Sequence, residues 1–408
     1  MFMNNTLQFS ILMAATMALG PLAIDAYLPA FPVIAEDLGV TQTQVALTLS
    51  LYVFGLAGGL LVGGPLSDRY GRSPILLTGL AVYLVSALAI ATSDDLGWMI
   101  AWRLIQAFGG GWIAVSIPAL VRDNAHGREA ARLFSLIALI MFIAPAIAPS
   151  LGSTLLWLAD WPLIFIFLAI YSAVVAMLLW VTLLRHLPER PHQREPVARL
   201  LTNYMTVLRH PMAWRHIAIQ SLGFSVVMLY VTHASFMYQG WFGLSNPQFS
   251  AAFASGVVLM GVFGTLNRRL LLKHTPVHLL KIAIAVQLAA LILMNVFLAV
   301  DNGHLVAFLP MMILVGGTIG AIAPNNQAAY LEHFGKLSGT ASALIGAMQF
   351  IVAGSLATLS TLVVDGSIQR ITLAMLFVCI PGFAAAMSLP RTRMAEYDDT
   401  AETVAERS

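Results

Sequence analysis

Two ionisable side chains lie where hydrocarbon would surround them. Asp25 is the one acid of nineteen set inside an apolar run, between Leu22, Ala23 and Ile24 on one side and Tyr27 and Leu28 on the other. Burial disfavours a carboxylate, whereas a nearby Arg or contact with water favours it. A carboxyl balanced between those terms can take up and release a proton, and that is the chemistry expected of Asp25. The alternative is a group at the outer interface, hydrogen-bonded to backbone near Pro21 or Pro29. Arg103 lies several residues inside another apolar run and is in practice never deprotonated. It needs an anion, carbonyl groups or a wet cavity, unless it snorkels to the outer surface. Asp25 or a bound substrate is its expected electrostatic partner, and Gln106, one turn away, offers a neutral hydrogen bond.

Other side chains suit recognition of a small molecule. Tyr27, Tyr52, Trp112, Phe142, Tyr230 and Phe236 supply rings, and Gln106, Asn325, Asn326 and Gln349 supply amides. Any one ring in a helical bundle also serves packing. Asn325 and Asn326 follow Pro324 inside an apolar run, where adjacent amides require partners. His233 titrates near neutral pH, yet a lone His there reads as a hydrogen-bonded structural residue. The chain has no His-Glu-x-x-His pair, no Gly-x-Ser-x-Gly elbow and no phosphate-binding loop, so neither an enzyme nor a nucleotide-driven pump is expected. A single cysteine, Cys379, rules out a disulfide framework or a thiolate metal site, and no cofactor is implied.

The elements that must hold these residues follow from composition. Of 408 residues, 59% are apolar and only 10% charged, with mean hydropathy +0.83, where a soluble domain carries about a quarter charged residues. The chain is therefore expected to be an integral membrane protein with no nucleic-acid partner. Crossing a hydrocarbon core takes about 20 mainly apolar helical residues. Twelve stretches qualify, at 6–32, 44–66, 75–92, 97–121, 133–157, 162–184, 212–239, 249–267, 282–300, 304–330, 337–363 and 371–389. They are apolar on all faces rather than alternating, which excludes barrel strands.

Cytoplasmic loops are rich in Lys and Arg. With the N-terminus inside, inner loops hold 19 of the 21 basic residues, and the outer loops hold only Arg370 beside Glu36, Asp37, Asp94, Asp95, Asp160, Asp301 and Asp365. Both termini are expected in the cytoplasm, with no cleaved leader. The long polar connection, with Pro188, Pro191 and Pro196, divides the chain into six-helix halves at 1–185 and 212–390, a linker at 186–211 and a tail at 391–408. Helical spacing of Leu200, Leu201, Tyr204, Val207 and Leu208 predicts a surface helix over 197–208. Gly64, Leu66 and Arg69 recur as Gly264, Leu266 and Arg269, 200 residues on and at the same place in each half. Two parallel halves about a central cavity suit rocking transport. Gly64 and Gly71 are expected to permit a tight inner turn carrying Asp68, Arg69 and Arg72, charges that by composition alone read as topology determinants. Pro145, Pro149 and Gly152 are expected to kink the fifth span or allow close packing.

The stretch Gly64-Pro65-Leu66-Ser67-Asp68-Arg69-Tyr70-Gly71-Arg72 resembles the inner-loop signature of the major facilitator superfamily. Further motifs resemble its twelve-span drug:proton antiporters, and within them the bicyclomycin and chloramphenicol resistance group. They are Asp25 to Pro29, Arg103 to Gln106, Ala144 to Gly152 and Gly339 to Ala343. Ser73 and Ala107 depart from the usual Lys and Gly. The resemblance implies an all-α fold of twelve spans in two halves, in a bacterial inner membrane, acting as a monomer. It implies proton coupling at Asp25 and Arg103, an Asp68 latch with Arg residues and a helix N-terminus of the other half, and a fifth span that limits proton leakage. The function implied is export of small amphipathic compounds, such as phenicols or bicyclomycin, in exchange for protons. The residues themselves leave open a proton-coupled importer or a dedicated metabolite carrier.

Overall fold

The computed structural model describes residues 6–125, 127–186, 197–301, 304–363 and 367–390. Among them are fifteen α-helices and no strand: α1 (Thr6–Asp25), α2 (Phe31–Asp37), α3 (Gln42–Tyr70), α4 (Arg72–Ala91), α5 (Leu96–Asn124), α6 (Gly127–Leu158), α7 (Pro162–Thr182), α8 (Val197–Leu208), α9 (Pro211–Ser235), α10 (Asn246–Leu270), α11 (Pro276–Asp301), α12 (Leu305–Gly317), α13 (Ile319–Leu331), α14 (Ser338–Val363) and α15 (Ile368–Met387). They form twelve segments long and apolar enough to cross a bilayer. Side chains such as Trp157, Val300 and Val306 are more than four-fifths exposed (83%, 81% and 86%), an exterior suited to lipid. The expected surface helix is α8. The linker residues 187–196 and the tail from 391 onward lie outside the described residues.

The helices begin where their sequences supply caps. Thr41 and Gln44 form a reciprocal capping box at α3, with Gln44 N–H on Thr41 Oγ1 (3.2 Å) and Thr41 N–H on Gln44 Oε1 (2.8 Å). Asp95 Oδ1 accepts from Trp98 N–H (2.9 Å) at the start of α5.

Three spans expected to be continuous are not uniform α-helix. In the first, expected over 6–32, Pro29 has no N–H to offer the Asp25 carbonyl and its ring crowds that oxygen. So α1 stops at Asp25, and a 3-10 turn, Leu28–Ala30, leads into α2. The seventh span widens into a π-helical segment, Phe236–Trp241, of the kind that concentrates at functional sites. The tenth, expected over 304–330, breaks at Thr318, behind Gly316 and Gly317. The inner turn after the second span also differs from expectation. The α3 helix runs through Gly64 and Pro65 to Tyr70, and only Gly71 (φ 98°) makes the turn. Gly64 is an ordinary helical residue, and a Cβ there would meet nothing within 4 Å.

Two compact units emerge from the packing. One comprises Met1–Leu200, Val231–Ala254 and Gly354–Gly366, and the other Leu201–Tyr230, Ser255–Ala353 and Ser367–Ser408. Their boundaries cut across α9, α10 and α14. Within the first unit α3 and α5 meet backbone to backbone. A Cβ on Gly59 would overlap the Phe108 carbonyl, and one on Gly111 would lie 2.6 Å from the Gly59 carbonyl carbon. Small residues let helices approach this closely when no hydrophobic effect drives them together. Within the second unit α10 and α13 repeat the crossing 200 residues on, with Gly320 against the Met260 carbonyl. There Leu259 stands 200 residues after Gly59, and the glycine that meets Gly320 from α10 is Gly264. In the same unit Val207 of α8 is buried with Ala213, Ile217, Tyr330 and Ile345.

Candidate functional site

Arg103 is wholly buried, so it does not snorkel. Its guanidinium lies between two tyrosine rings, with Cζ 4.3 Å from the centroids of both Tyr27 and Tyr52, and Phe165 lies 5.7 Å away. Such faces stabilise a cation without neutralising it. Nη1 donates to Gln106 Oε1 (2.8 Å), the hydrogen bond expected from the spacing, and Nη2 donates to the carbonyl of Ala23 (2.9 Å). The expected ion pair with Asp25 is not formed. Ala26 N–H closes α1 on the Leu22 carbonyl (3.1 Å), and the next carbonyl, Ala23, is free to take the arginine because Pro29 has ended the helix. Arg103 thus caps the C-terminal end of α1.

Asp25 is buried at that break. Among the described residues its carboxyl has no ion-pair or side-chain hydrogen-bond partner, so the alternative of a group tied to nearby backbone is not what the structure holds. The box around it carries further polar atoms. Tyr27 Oη meets Thr48 Oγ1 (3.0 Å), whereas Tyr52 Oη, Arg103 Nε and Gln106 Nε2 are buried without a hydrogen-bond partner. Gly152 of α6 abuts this region from behind, and a Cβ there would overlap the Ala26 carbonyl. Pro145 and Pro149 lie inside α6 without ending it. One turn of chain away, Ser153 Oγ meets Ser250 Oγ (2.9 Å) in α10.

At the C-terminal end of α3 the signature charges form a local network. Arg72 pairs with Asp68, donates to Ser67 Oγ (3.2 Å), and through Nε reaches Asp123 Oδ2 (3.3 Å) at the end of α5. Arg69 lies over Tyr70, 5.4 Å from its centroid. Asp123 escaped the sequence reading, although its place beside Arg122 in an inner loop marked it as a possible partner.

The recognition candidates divide into separate groups. Tyr27, Tyr52 and Gln106 gather at Arg103. Trp112 instead packs against the faces of Gly63 and Gly79 and edge-on to Phe108 (5.6 Å), so it serves the helix crossings. Phe142 is half-buried on α6, and Phe236 opens the π-segment. In that segment Gln239, unforeseen from sequence, donates to the Pro29 carbonyl (3.3 Å) and Asn246 Oδ1 (2.6 Å). His233 is buried against Ser360 Oγ (2.9 Å), the structural role expected of it.

In the second unit Tyr230 is buried. The adjacent amides part company. Asn325 pairs reciprocally with Asn267 (3.2 and 2.6 Å) and is closed off. Asn326 bonds His216 Nδ1 (2.9 Å), the His216 carbonyl (3.0 Å) and Gln220 Oε1 (3.2 Å), and Gln220 Nε2 donates to Gln349 Oε1 (2.9 Å). Gln220 and Gln349 are half-buried. Among the described residues no cluster of three or more His, Cys, Asp or Glu side chains is placed to hold a metal ion.

Comparison with known proteins agrees with this architecture. The sequence profile of the Major Facilitator Superfamily matches residues 11–358. A bicyclomycin resistance protein homolog of Haemophilus influenzae is 30% identical over 363 residues, covering 87% of this chain and 89% of its own. A chloramphenicol resistance protein of Pseudomonas aeruginosa is 29% identical, covering 84% and 80%. The multidrug resistance protein MdtL of Escherichia coli is 28% identical, covering 85% and 86%. The crystal structure of a D-xylose-proton symporter shares the fold with TM-score 0.72 at 14% identity, over 93% of this chain and 96% of that one.

Proposed function

The chain belongs to the major facilitator superfamily, and on that premise we propose that it is a secondary exporter that moves small amphipathic compounds out of the cytoplasm in exchange for protons. The observation that carries this reading is the Asp25 carboxyl, buried and unpaired at the break in the first span, in the unit where a wholly buried Arg103 supplies fixed positive charge. Burial disfavours a charged carboxyl while water or a nearby cation favours it, so a carboxyl in such a place can take up and release a proton as its surroundings change. Moving one proton down 100 mV releases about 2.3 kcal/mol, enough to accumulate a compound against a gradient. Relatives named for bicyclomycin, chloramphenicol and multidrug resistance support export over import and a drug-like substrate class. The concentration of basic residues in alternate loops supports an inner-membrane location with both termini in the cytoplasm. The protein acts in this reading as a monomer, without a cofactor and without enzymatic turnover.

The test is reconstitution in liposomes with a trapped pH dye and an imposed proton gradient, screened with phenicols, bicyclomycin, sulfonamides and nucleosides. Proton movement opposite to the compound, lost in Asp25→Asn, is the expected result. Protons and compound moving together would make it a symporter, and full activity in Asp25→Asn would remove that carboxyl from the coupling.

A further inference from the structure

The amide chain of the second unit has a fixed direction, set by one backbone carbonyl. The His216 carbonyl oxygen can only accept, so the Asn326 atom facing it is Nδ2, and Oδ1 is the atom that meets the imidazole. Oδ1 accepts only. His216 therefore donates from Nδ1. Nδ2 of Asn326 also donates to Gln220, which fixes Oε1 at that position. Gln220 Nε2 then donates to Gln349, so Oε1 of Gln349 is consumed. Reversing any one amide would set two donors or two acceptors against each other. The chain ends in the two N–H groups of Gln349, for which no acceptor is found among the described residues, on a half-buried side chain. Amide N–H groups facing hydrocarbon are strongly disfavoured, so these two suit a polar partner such as water or a ligand oxygen.

Resting on the exporter reading, we propose that Gln349 is a specificity-determining residue that recognises a hydrogen-bond acceptor on the substrate, such as a carbonyl, nitro or sulfonyl oxygen. Gln220 and Asn326 are its positioning residues. An isolated glutamine could turn over and accept from an amine, but this one cannot. The site favours neutral acceptor-bearing compounds over donor-only amines.

Two measurements on the full-length protein in nanodiscs test the proposal. The first is the tautomer of His216 by nitrogen-15 NMR with labelled histidine, assigned from its loss in His216→Gln. A protonated Nδ1 is expected, and a bare Nδ1 with the proton on Nε2 would overturn the polarity. The second is binding of chloramphenicol, which carries amide and nitro oxygens, and of tetraphenylphosphonium, which has no hydrogen-bonding group. Gln349→Leu is expected to weaken chloramphenicol about fivefold, the worth of one neutral hydrogen bond, and to leave tetraphenylphosphonium unchanged. Asn326→Asp, which cannot donate to Gln220, is expected to weaken chloramphenicol in the same sense. Unchanged chloramphenicol affinity in Gln349→Leu overturns the assignment, as does an equal loss for both probes, which would mark a packing defect. Wild-type protein that binds neither probe overturns the drug-export reading and the role of Gln349 with it, a result distinct from binding that ignores the substitution.

Discussion

The guanidinium of Arg103 holds the carbonyl of Ala23, two residues before Asp25, rather than the carboxylate itself. The cation thereby caps the break that Pro29 makes in the first span, beside the acid. Lysine would keep the charge but lose the planar fork that stacks on Tyr27 and Tyr52 while bonding two oxygens. Arg103→Lys is expected to slow proton-driven transport about tenfold or more, in line with loss of one charged hydrogen bond. Transport assays in liposomes would expose the idea, since wild-type rates in Arg103→Lys contradict it.

The two tyrosines flanking that cation should respond differently to loss of their hydroxyls. Tyr27 Oη is paired with Thr48, while Tyr52 Oη has no partner. Tyr27→Phe should cost about 1 kcal/mol, and Tyr52→Phe should stay within about 0.5 kcal/mol of wild type or gain slightly. Thermal unfolding in one detergent measures both. The reverse order would show that the partnership is misassigned.

Glycine substitutions separate the motif glycines into tight and loose positions. Gly152→Ala drives a methyl into the Ala26 carbonyl, so it should lower the melting temperature and displace Asp25, reducing transport. Gly64→Ala has open space and a helical backbone, and should stabilise by about 0.5–1 kcal/mol. A melting-temperature drop in Gly64→Ala would revive a turn at that position.

His333, beyond the inner end of α13, stacks at 5.4 Å from the His210 ring. Desolvation by the surrounding rings and the neighbouring His210 push its imidazole below the usual 6.5, to an extent limited by its exposure to water. The unfolded chain then binds more protons than the folded one as pH falls through that value, so stability present above pH 6.5 is lost on acidification. A melting curve series from pH 7.5 to 5 should show this fall, and His333→Gln should flatten it. An identical pH slope in His333→Gln would assign the effect elsewhere.

Arg72 bridges Asp68 and Asp123 while remaining 28% exposed, with the acids at 48% and 34%. Solvent screening limits such pairs. A double-mutant cycle of Arg72→Ala and Asp123→Asn should return a coupling below about 1 kcal/mol that shrinks further in high salt. A larger, salt-resistant value would mean the network is desolvated.

The spans were legible because hydropathy alone decides whether a helix can enter a bilayer, and Arg103 and Asp25 stood out as charges within them. Gln106 as a partner of Arg103 followed from spacing on one helix. What sequence did not reveal depends on contacts between distant helices. The break after Asp25 is fixed by Pro29, but the use of Ala23 by Arg103 spans 80 residues of chain. Asn325 and Asn326 are neighbours in sequence, and only tertiary structure sends one to Asn267 and the other into the chain ending at Gln349. Gly64 misled because a glycine beside proline suggests a turn, whereas helix packing carries α3 six residues further.

The glycine-locked crossing of α3 and α5 makes those two helices a single beam. Tyr52 and Arg103 sit along it in the membrane interior, and Asp68 and Asp123 sit at its inner end, where Arg72 ties them together. Tyr52 and Asp68 are about 24 Å apart along α3 by helical rise. With backbones in contact at Gly59 and Gly111, the two members cannot slide past one another without a clash. A tilt of either helix at the arginine end therefore carries the charges at the far end with it, as a lever carries a stroke.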